Sequence, residues 1–307
     1  MRIRTVLSPV DFTPLSKKEL DVAVAVCRRY GAKLIVEHNV GVAPPLPMGV
    51  EWMWLEGQGV PEAGETKEAG RRLKALVGSL PPEVHAEGRL VRGPVDAGLI
   101  FAAADVEADL IVMGSHGWGG VDHHSVTEVI IARAPCPVLA LNDTSSGTDL
   151  FGAETPARGR RALVPVGLTR WSIRSVEMAL VLSRDLGMRL TLVHVPTARR
   201  SERLSAFAAE WEGRRQEALE RRVKEMAGSA AAGIEFVTAH GKPGEEIVRL
   251  AKESRFDLVV MGGHHGGIFR HLFSEPIPCS VLHACACPVW FVPARLRRAP
   301  VEDTVAA

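Results

Sequence analysis

IRTVLSPVDFTPLSKKELDVAVAVCRRYGAKLIVEHNV, at Ile3–Val40, returns as ALVPVGLTRWSIRSVEMALVLSRDLGMRLTLVHVP at Ala162–Pro196. Adding 156 carries Pro9 onto Pro165, Val10 onto Val166, Ser16 onto Ser172, Gly31 onto Gly187, Leu34 onto Leu190 and His38 onto His194, without a gap. A second block repeats at an offset of 148, taking Gly93, Asp109, Met113 and Gly114 onto Gly241, Asp257, Met261 and Gly262. A third, at 151, takes Cys136-Pro137-Val138 onto Cys287-Pro288-Val289. Repetition on this scale implies two similar domains, each with its own core, rather than a solenoid of small repeats. The 307 residues agree, since one core of that size stands near the upper limit for a domain. The expected division is domain 1 at 1–142, a linker at 143–160 rich in Ser, Thr, Gly and Asp, and domain 2 at 161–295.

Within the first copy, Thr5–Val10 is an apolar run ending at a loop, which suits a buried strand. Ser16 with Glu19 reads as a capping box opening a helix that Gly31 stops. Lys33–Val40, Glu87–Arg92, Asp109–Gly114 and Cys136–Leu141 read as further strands, and Ala97–Ala108 and Val126–Arg133 as helices. The second copy repeats the plan with strands at Ala162–Val166, Arg189–Val195, Glu235–Ala239, Asp257–Gly262 and Val289–Val292, and helices at Ser172–Leu186 and Glu202–Ala227. Strands alternating with helices imply parallel pairing through right-handed crossovers. Short strands, apolar on both sides, imply a sheet covered on each face. The expected class is α/β.

Composition narrows the function. An apolar content of 46% with 24% charged residues is that of a soluble globular protein. A net charge of +1 offers no electrostatic attraction for nucleic acid or an anionic membrane, and no apolar run is long enough to span a bilayer. The start MRIRTVLSPVD reads as a strand rather than a signal peptide. Five cysteines (Cys27, Cys136, Cys279, Cys285 and Cys287) are expected to be reduced thiols of a cytoplasmic protein. Core packing is the expected role of Cys136 and Cys287, with Cys285 reactive if exposed.

In an open parallel sheet, ligands settle beyond the carboxyl ends of the strands. Pro9-Val10-Asp11 and the run Met113-Gly114-Ser115-His116-Gly117-Trp118-Gly119-Gly120 meet there in the first copy, with Ser125-Val126-Thr127 opening a helix beside them. Glycines let backbone N–H groups approach phosphate oxygens, and a helix start adds positive dipole character. Asp11 would accept from an adenine amine or a ribose hydroxyl. These residues, VLSPVDFTPLS, LIVMGSHGWGG, SVTEVI and APCPVL, resemble the universal stress protein family; LVPVGLTRWS, DLVVMGGHH and ACACPVW in the second copy match it more loosely. The resemblance spans both copies and implies a tandem, stress-responsive member. Each domain would be a five-stranded parallel α/β fold related to adenine-nucleotide α-hydrolases.

By that resemblance, a site for ATP or another adenine nucleotide is expected in domain 1. Pro9, Val10 and Asp11 would lie near base and ribose, and Asn39 at the base edge. Met113, Gly114, Ser115, His116 and Gly117 would lie beneath the phosphates, and Ser125, Val126 and Thr127 would offer N–H and hydroxyl groups. The family also pairs through its last strand, so an intrachain pseudo-dimer, and a homodimer beyond it, are implied partners.

The family motif, Gly-x2-Gly-x9-Gly-Ser/Thr, is altered in both copies. After Gly117 only six residues precede His124-Ser125, which puts the triphosphate end in question while AMP or ADP would still fit. In the second copy His265, Glu275 and Pro276 replace the second glycine, the third glycine and the hydroxyl residue, and Gly167 replaces Asp11. A carboxylate repels phosphate and proline lacks a donor N–H, so domain 2 is expected to hold a degenerate site.

Three function classes follow. One is a binding protein without efficient catalysis. A second is a slow ATPase, for which no Walker lysine, paired carboxylates or nucleophile–base spacing is present. A third is a nucleotide-free interaction or metal module, in which His123, His124, His265 and His271 would bind zinc; solvated loop histidines are the plainer reading. The segment Gly41–Gly64, carrying Trp52, Met53 and Trp54, reads as a lid over the nucleotide or a contact for another chain, and equally as a loop folding its aromatics back over its own sheet.

Overall fold

The computed structural model describes residues 1–41, 63–115, 126–143, 145, 148–152, 159–167, 170–196, 202–263 and 277–293. They form two compact units, one built from Arg2–Leu141 and one from Asn142–Ala294. The amino-terminal unit runs β1 (Thr5–Pro9), α1 (Pro14–Tyr30), β2 (Lys33–Gly41), α2 (Ala63–Gly78), β3 (Ala86–Gly93), α3 (Val95–Asp105), β4 (Leu110–Gly114), α4 (Val126–Arg133) and β5 (Val138–Leu141). Its strands are all parallel, in the order β3-β2-β1-β4-β5. Chain direction across the sheet therefore reverses between β1 and β4, and ligands of open α/β sheets bind beside such a reversal.

The carboxy-terminal unit runs β6 (Arg160–Pro165), α5 (Arg170–Leu186), β7 (Met188–His194), α6 (Glu202–Ala227), β8 (Ile234–Thr238), α7 (Pro243–Glu253), β9 (Leu258–Gly262), α8 (Ile277–Ala284) and β10 (Val289–Val292). Its strands are parallel in the matching order β8-β7-β6-β9-β10. The α/β class and the duplication are thus both present in the structure.

The copies agree in detail. Gly31 and Gly187 both stop a helix at a φ of +64°, and Glu107 and Arg255 hold left-handed conformations at +50° and +52°. Asp109 Oδ2 accepts from the N–H of Thr5 at 3.2 Å, and Asp257 Oδ2 accepts from Arg161 N–H at 2.8 Å. Each aspartate ties the start of its fourth strand to the start of its first.

Sheet faces are covered alternately. Gly88 on β3 faces α2, since a Cβ there would lie 3.2 Å from Leu73 and 3.3 Å from Val77. Its neighbour Arg89 points the other way and donates to Asp105 on α3 at 2.7 Å. The strand centres are apolar on both faces, with Val6, Leu7, Leu34, Val36, Leu110, Ile111 and Val112 all at most 1% exposed.

Three sequence expectations are corrected. Helix α1 starts at Pro14 and is capped by Thr13, whose side chain accepts from Ser16 N–H at 3.3 Å. Ser16 is therefore not the cap, and Glu19 does not close a capping box but is buried at 4% exposure. Pro14 explains the shift, because its fixed φ and missing N–H suit the first helical position. Secondly, α2 fills part of the stretch for which no helix was foreseen. Thirdly, part of the expected surface linker is packed into the carboxy-terminal unit: Ser145, Leu150 and Phe151 are buried. Asn142 Nδ2 donates to the carbonyls of Leu282 and Cys285 at 3.1 and 2.7 Å, and Arg160 donates to those of Asp149 and Gly152 at 3.0 and 2.8 Å. Those bonds satisfy carbonyls at the end of α8 and in the segment 149–152, so the segment is clamped.

Candidate functional site

The carboxyl end of β1 passes into α1 through a constrained turn. Val10 N–H donates to Glu37 O at 2.8 Å, and His38 Nδ1 lies 2.7 Å from Val10 O. The carboxy-terminal unit builds the same pair, with Val166 N–H on Val193 O at 2.8 Å and His194 Nδ1 on Val166 O at 2.9 Å. Since a carbonyl only accepts, each histidine donates from a protonated Nδ1. Sequence reading found these histidines as repeat markers and missed their role in holding the strand end.

Asp11 Oδ1 accepts from Thr13 N–H at 2.9 Å and from Thr13 Oγ at 2.5 Å. Between them Phe12 takes a φ of +62°, an uncommon conformation for a bulky side chain. Its ring lies 4.4 Å from that of His38, and the Arg72 guanidinium stands 4.2 Å from the Phe12 centroid. Thus α2 reaches over the turn that carries Asp11, a cation–π contact absent from the sequence reading.

Asn39 lies on β2, two residues beyond Glu37, whose carbonyl accepts from Val10 N–H. Both its side-chain polar atoms, Nδ2 and Oδ1, are buried without a hydrogen-bond partner. Gly98 on α3 leaves room for it: a Cβ there would lie 2.7 Å from Asn39 Nδ2. A buried amide lacking partners costs free energy that a hydrogen-bonding ligand would recover.

Beneath β4, Met113 and Ser115 are buried, and Ser115 N–H donates to Leu141 O at 2.6 Å. Gly114 is required by a close approach, because a Cβ would strike the Glu19 carboxylate and come within 3.0 Å of Leu15 Cδ2. Thr127 Oγ donates to Gly114 O at 2.6 Å and is buried. Its hydroxyl proton therefore joins α4 to β4 and does not point at a phosphate, as sequence reading had it. Val126 opens α4 next to it. His116, Gly117, Ser125, His123, His124, His265 and His271 lie outside the described residues, as do 42–62 with the two tryptophans.

A buried charge lies behind Asn39. Glu37 stands on the same face of β2, in register with Pro9 on β1 and Arg89 on β3. Its side chain is 0% exposed, neither carboxylate oxygen has a hydrogen-bond partner, and Arg89 Nε is 3.8 Å away. Burial pushes its carboxyl up to about 7, and the Arg89 charge only partly opposes this. In the carboxy-terminal unit the matching pair, also in register, is Val193 and Val237. Val195 and Glu246 stand where the amino-terminal unit has Asn39 and Gly98, and Glu246 pairs with Arg249. The polar set belongs to one copy alone.

The thiols do not contribute. All five are unbridged and buried. Burial pushes Cys27 and Cys136 up to about 12, so both stay protonated. Cys285 is 0% exposed, so the exposure on which its reactivity depended is not met, and its Sγ lies 3.6 Å from that of Cys287. Among the described residues no three metal-binding side chains cluster, and no helix is long and apolar enough to cross a membrane.

Comparison with known proteins follows the same division. The family model described as the universal stress protein family matches residues 2–142 and again 159–293. A universal stress protein of Thermus aquaticus is 30% identical over 140 residues, covering 44% of this chain and 96% of its own. One from Methanocaldococcus jannaschii is 27% identical over 142 residues, covering 45% of this chain and 81% of its own. Among solved structures, a universal stress protein from Archaeoglobus fulgidus superimposes with a TM-score of 0.68 at 17% identity, covering 95% of this chain and 97% of that one. At that identity the likeness concerns the fold.

Proposed function

The chain belongs to the universal stress protein family, carrying the family's unit twice, and from that premise we propose that its amino-terminal unit holds one adenine nucleotide and acts by binding rather than by turnover. The observation that carries this reading is Asn39. Its buried amide offers one donor and one acceptor with no protein partner, beside a turn that presents Asp11. A purine edge requires that pairing of donor and acceptor. The reversal between β1 and β4 supplies the location.

The carboxy-terminal unit is assigned no nucleotide. Val195 has no side-chain polar atom for a base, Gly167 has no carboxylate for a ribose, and Glu246, paired with Arg249, stands where Gly98 makes room for Asn39. Its proposed place in the molecule is an interaction lobe with a degenerate site.

Titration of the full chain with AMP, ADP and ATP by calorimetry tests this. One equivalent is expected to bind, and Asn39→Ala is expected to weaken it by about tenfold to a hundredfold, the cost of losing hydrogen bonds in a desolvated site. Unchanged affinity in Asn39→Ala, or the loss of binding only on substitution in the carboxy-terminal unit, would contradict the assignment.

A further inference from the structure

We propose that Glu37 is the charge-selecting residue of the amino-terminal site: as an anion it disfavours phosphorylated adenine ligands relative to adenosine, and as a neutral acid it admits them. The inference rests on the nucleotide reading of this unit.

The fold does not need a carboxyl at this position. The duplicate unit puts Val193 against Val237 at the equivalent register and forms the same sheet. Glu37 nevertheless sits with its side chain at 0% exposure and both oxygens unbonded, two residues below Asn39 on one face of β2. An isolated carboxylate is costly there, so the group keeps its proton unless an opposing charge compensates.

The surrounding charges are few. From β3 comes Arg89, whose Nε is 3.8 Å from Glu37 while its NH1 is engaged by Asp105 of α3 at 2.7 Å. From β1 come Leu7 and Pro9, which do not ionise. Asp96 lies in the first turn of α3. On β2 itself, His38 projects to the opposite face and is bonded to Val10 O, and Lys33 is paired with Glu87. With Glu37 protonated, the trio Glu37, Arg89 and Asp105 carries no net charge. When the proton leaves for solvent, the trio becomes a net anion inside the unit. Burial holds Glu37 at about 7, so both forms are populated near neutrality.

A buried negative charge acts through low dielectric on a ligand bound at the ends of β1 and β2. Unit charges roughly 12 to 20 Å apart at an effective dielectric near 20 change affinity by about fourfold to tenfold. Adenosine, being neutral, escapes this repulsion and ADP does not.

The experiment measures ADP and adenosine affinities of the full chain at about pH 6 and about pH 8, in the wild type, Glu37→Gln and Glu37→Val. In the wild type the preference for ADP over adenosine is expected to fall by about fourfold to tenfold between the two conditions. In both variants it is expected to change only as much as the ionisation of ADP itself dictates. An equal change in all three proteins would overturn the assignment while leaving the nucleotide reading intact. Absence of binding by either ligand in any protein would overturn the nucleotide reading and this assignment together.

Discussion

Alanine at position 114 is expected to destabilise the amino-terminal unit by about 3 kcal/mol, whereas alanine at the duplicate position, 262, is expected to shift stability by no more than about 0.5 kcal/mol. The two glycines end equivalent strands, β4 and β9, and differ only in what faces them. A methyl on Gly114 meets the buried Glu19 carboxylate, with Glu19 Cδ at 2.8 Å and Leu15 Cδ2 at 3.0 Å, in the core between α1 and β4. Overpacking costs about 1–3 kcal/mol, and displacing a buried carboxylate from its contacts puts this site at the upper end. A methyl on Gly262 meets Ser175 Oγ at 3.7 Å, ordinary contact, and reduces the freedom of the unfolded chain. Hydrogen exchange along β4 and β9 in the two variants reads each unit separately. Equal losses would show that Glu19 is not wedged beneath Gly114.

The second large effect belongs to Glu37. Its ordinary carboxyl value of 4.5 rises to about 7 in the folded unit. Because the folded value is raised, the folded state holds the proton more tightly. The stabilisation is complete below about 4.5, declines as pH rises, and is lost once pH passes about 7. At about 1.36 kcal/mol per unit, the loss amounts to about 3 kcal/mol. Glu37→Gln carries no such proton. Its stability relative to the wild type is therefore expected to increase by about 3 kcal/mol from pH 4.5 to pH 7 and to stay level above that. Urea denaturation of both proteins across this range checks it, and a constant difference would contradict it.

The parts of the fold legible in the sequence are those specified locally or by the duplication. Helices at Val126–Arg133 and Glu202–Ala227 and the strand Val289–Val292 are where the apolar pattern puts them. Gly31 stops its helix for the conformational reason that glycine implies. What was misread depends on long-range contacts. Glu19 follows Ser16 at capping-box spacing, but its partner in space is Gly114, on a different strand. Thr127 has the hydroxyl a phosphate site needs, yet that hydroxyl is bonded to Gly114 O. Glu37 carried a usable signal in LIVEHNV, a charge inside a buried strand where the duplicate has Val193. Aligning the copies for polarity as well as identity would have singled out Glu37, Asn39, Arg89 and Gly98 together.

On the proposed reading, duplication left one nucleotide-holding unit and one with a degenerate site. Amide hydrogen exchange of the full chain with and without saturating ADP, alongside the calorimetric stoichiometry, tests it most directly. One equivalent bound, with protection gained at Val10, Asp11 and Asn39 and none at Val166, Gly167 and Val195, is the predicted result. Two equivalents, or protection confined to the ends of β6 and β7, would contradict it.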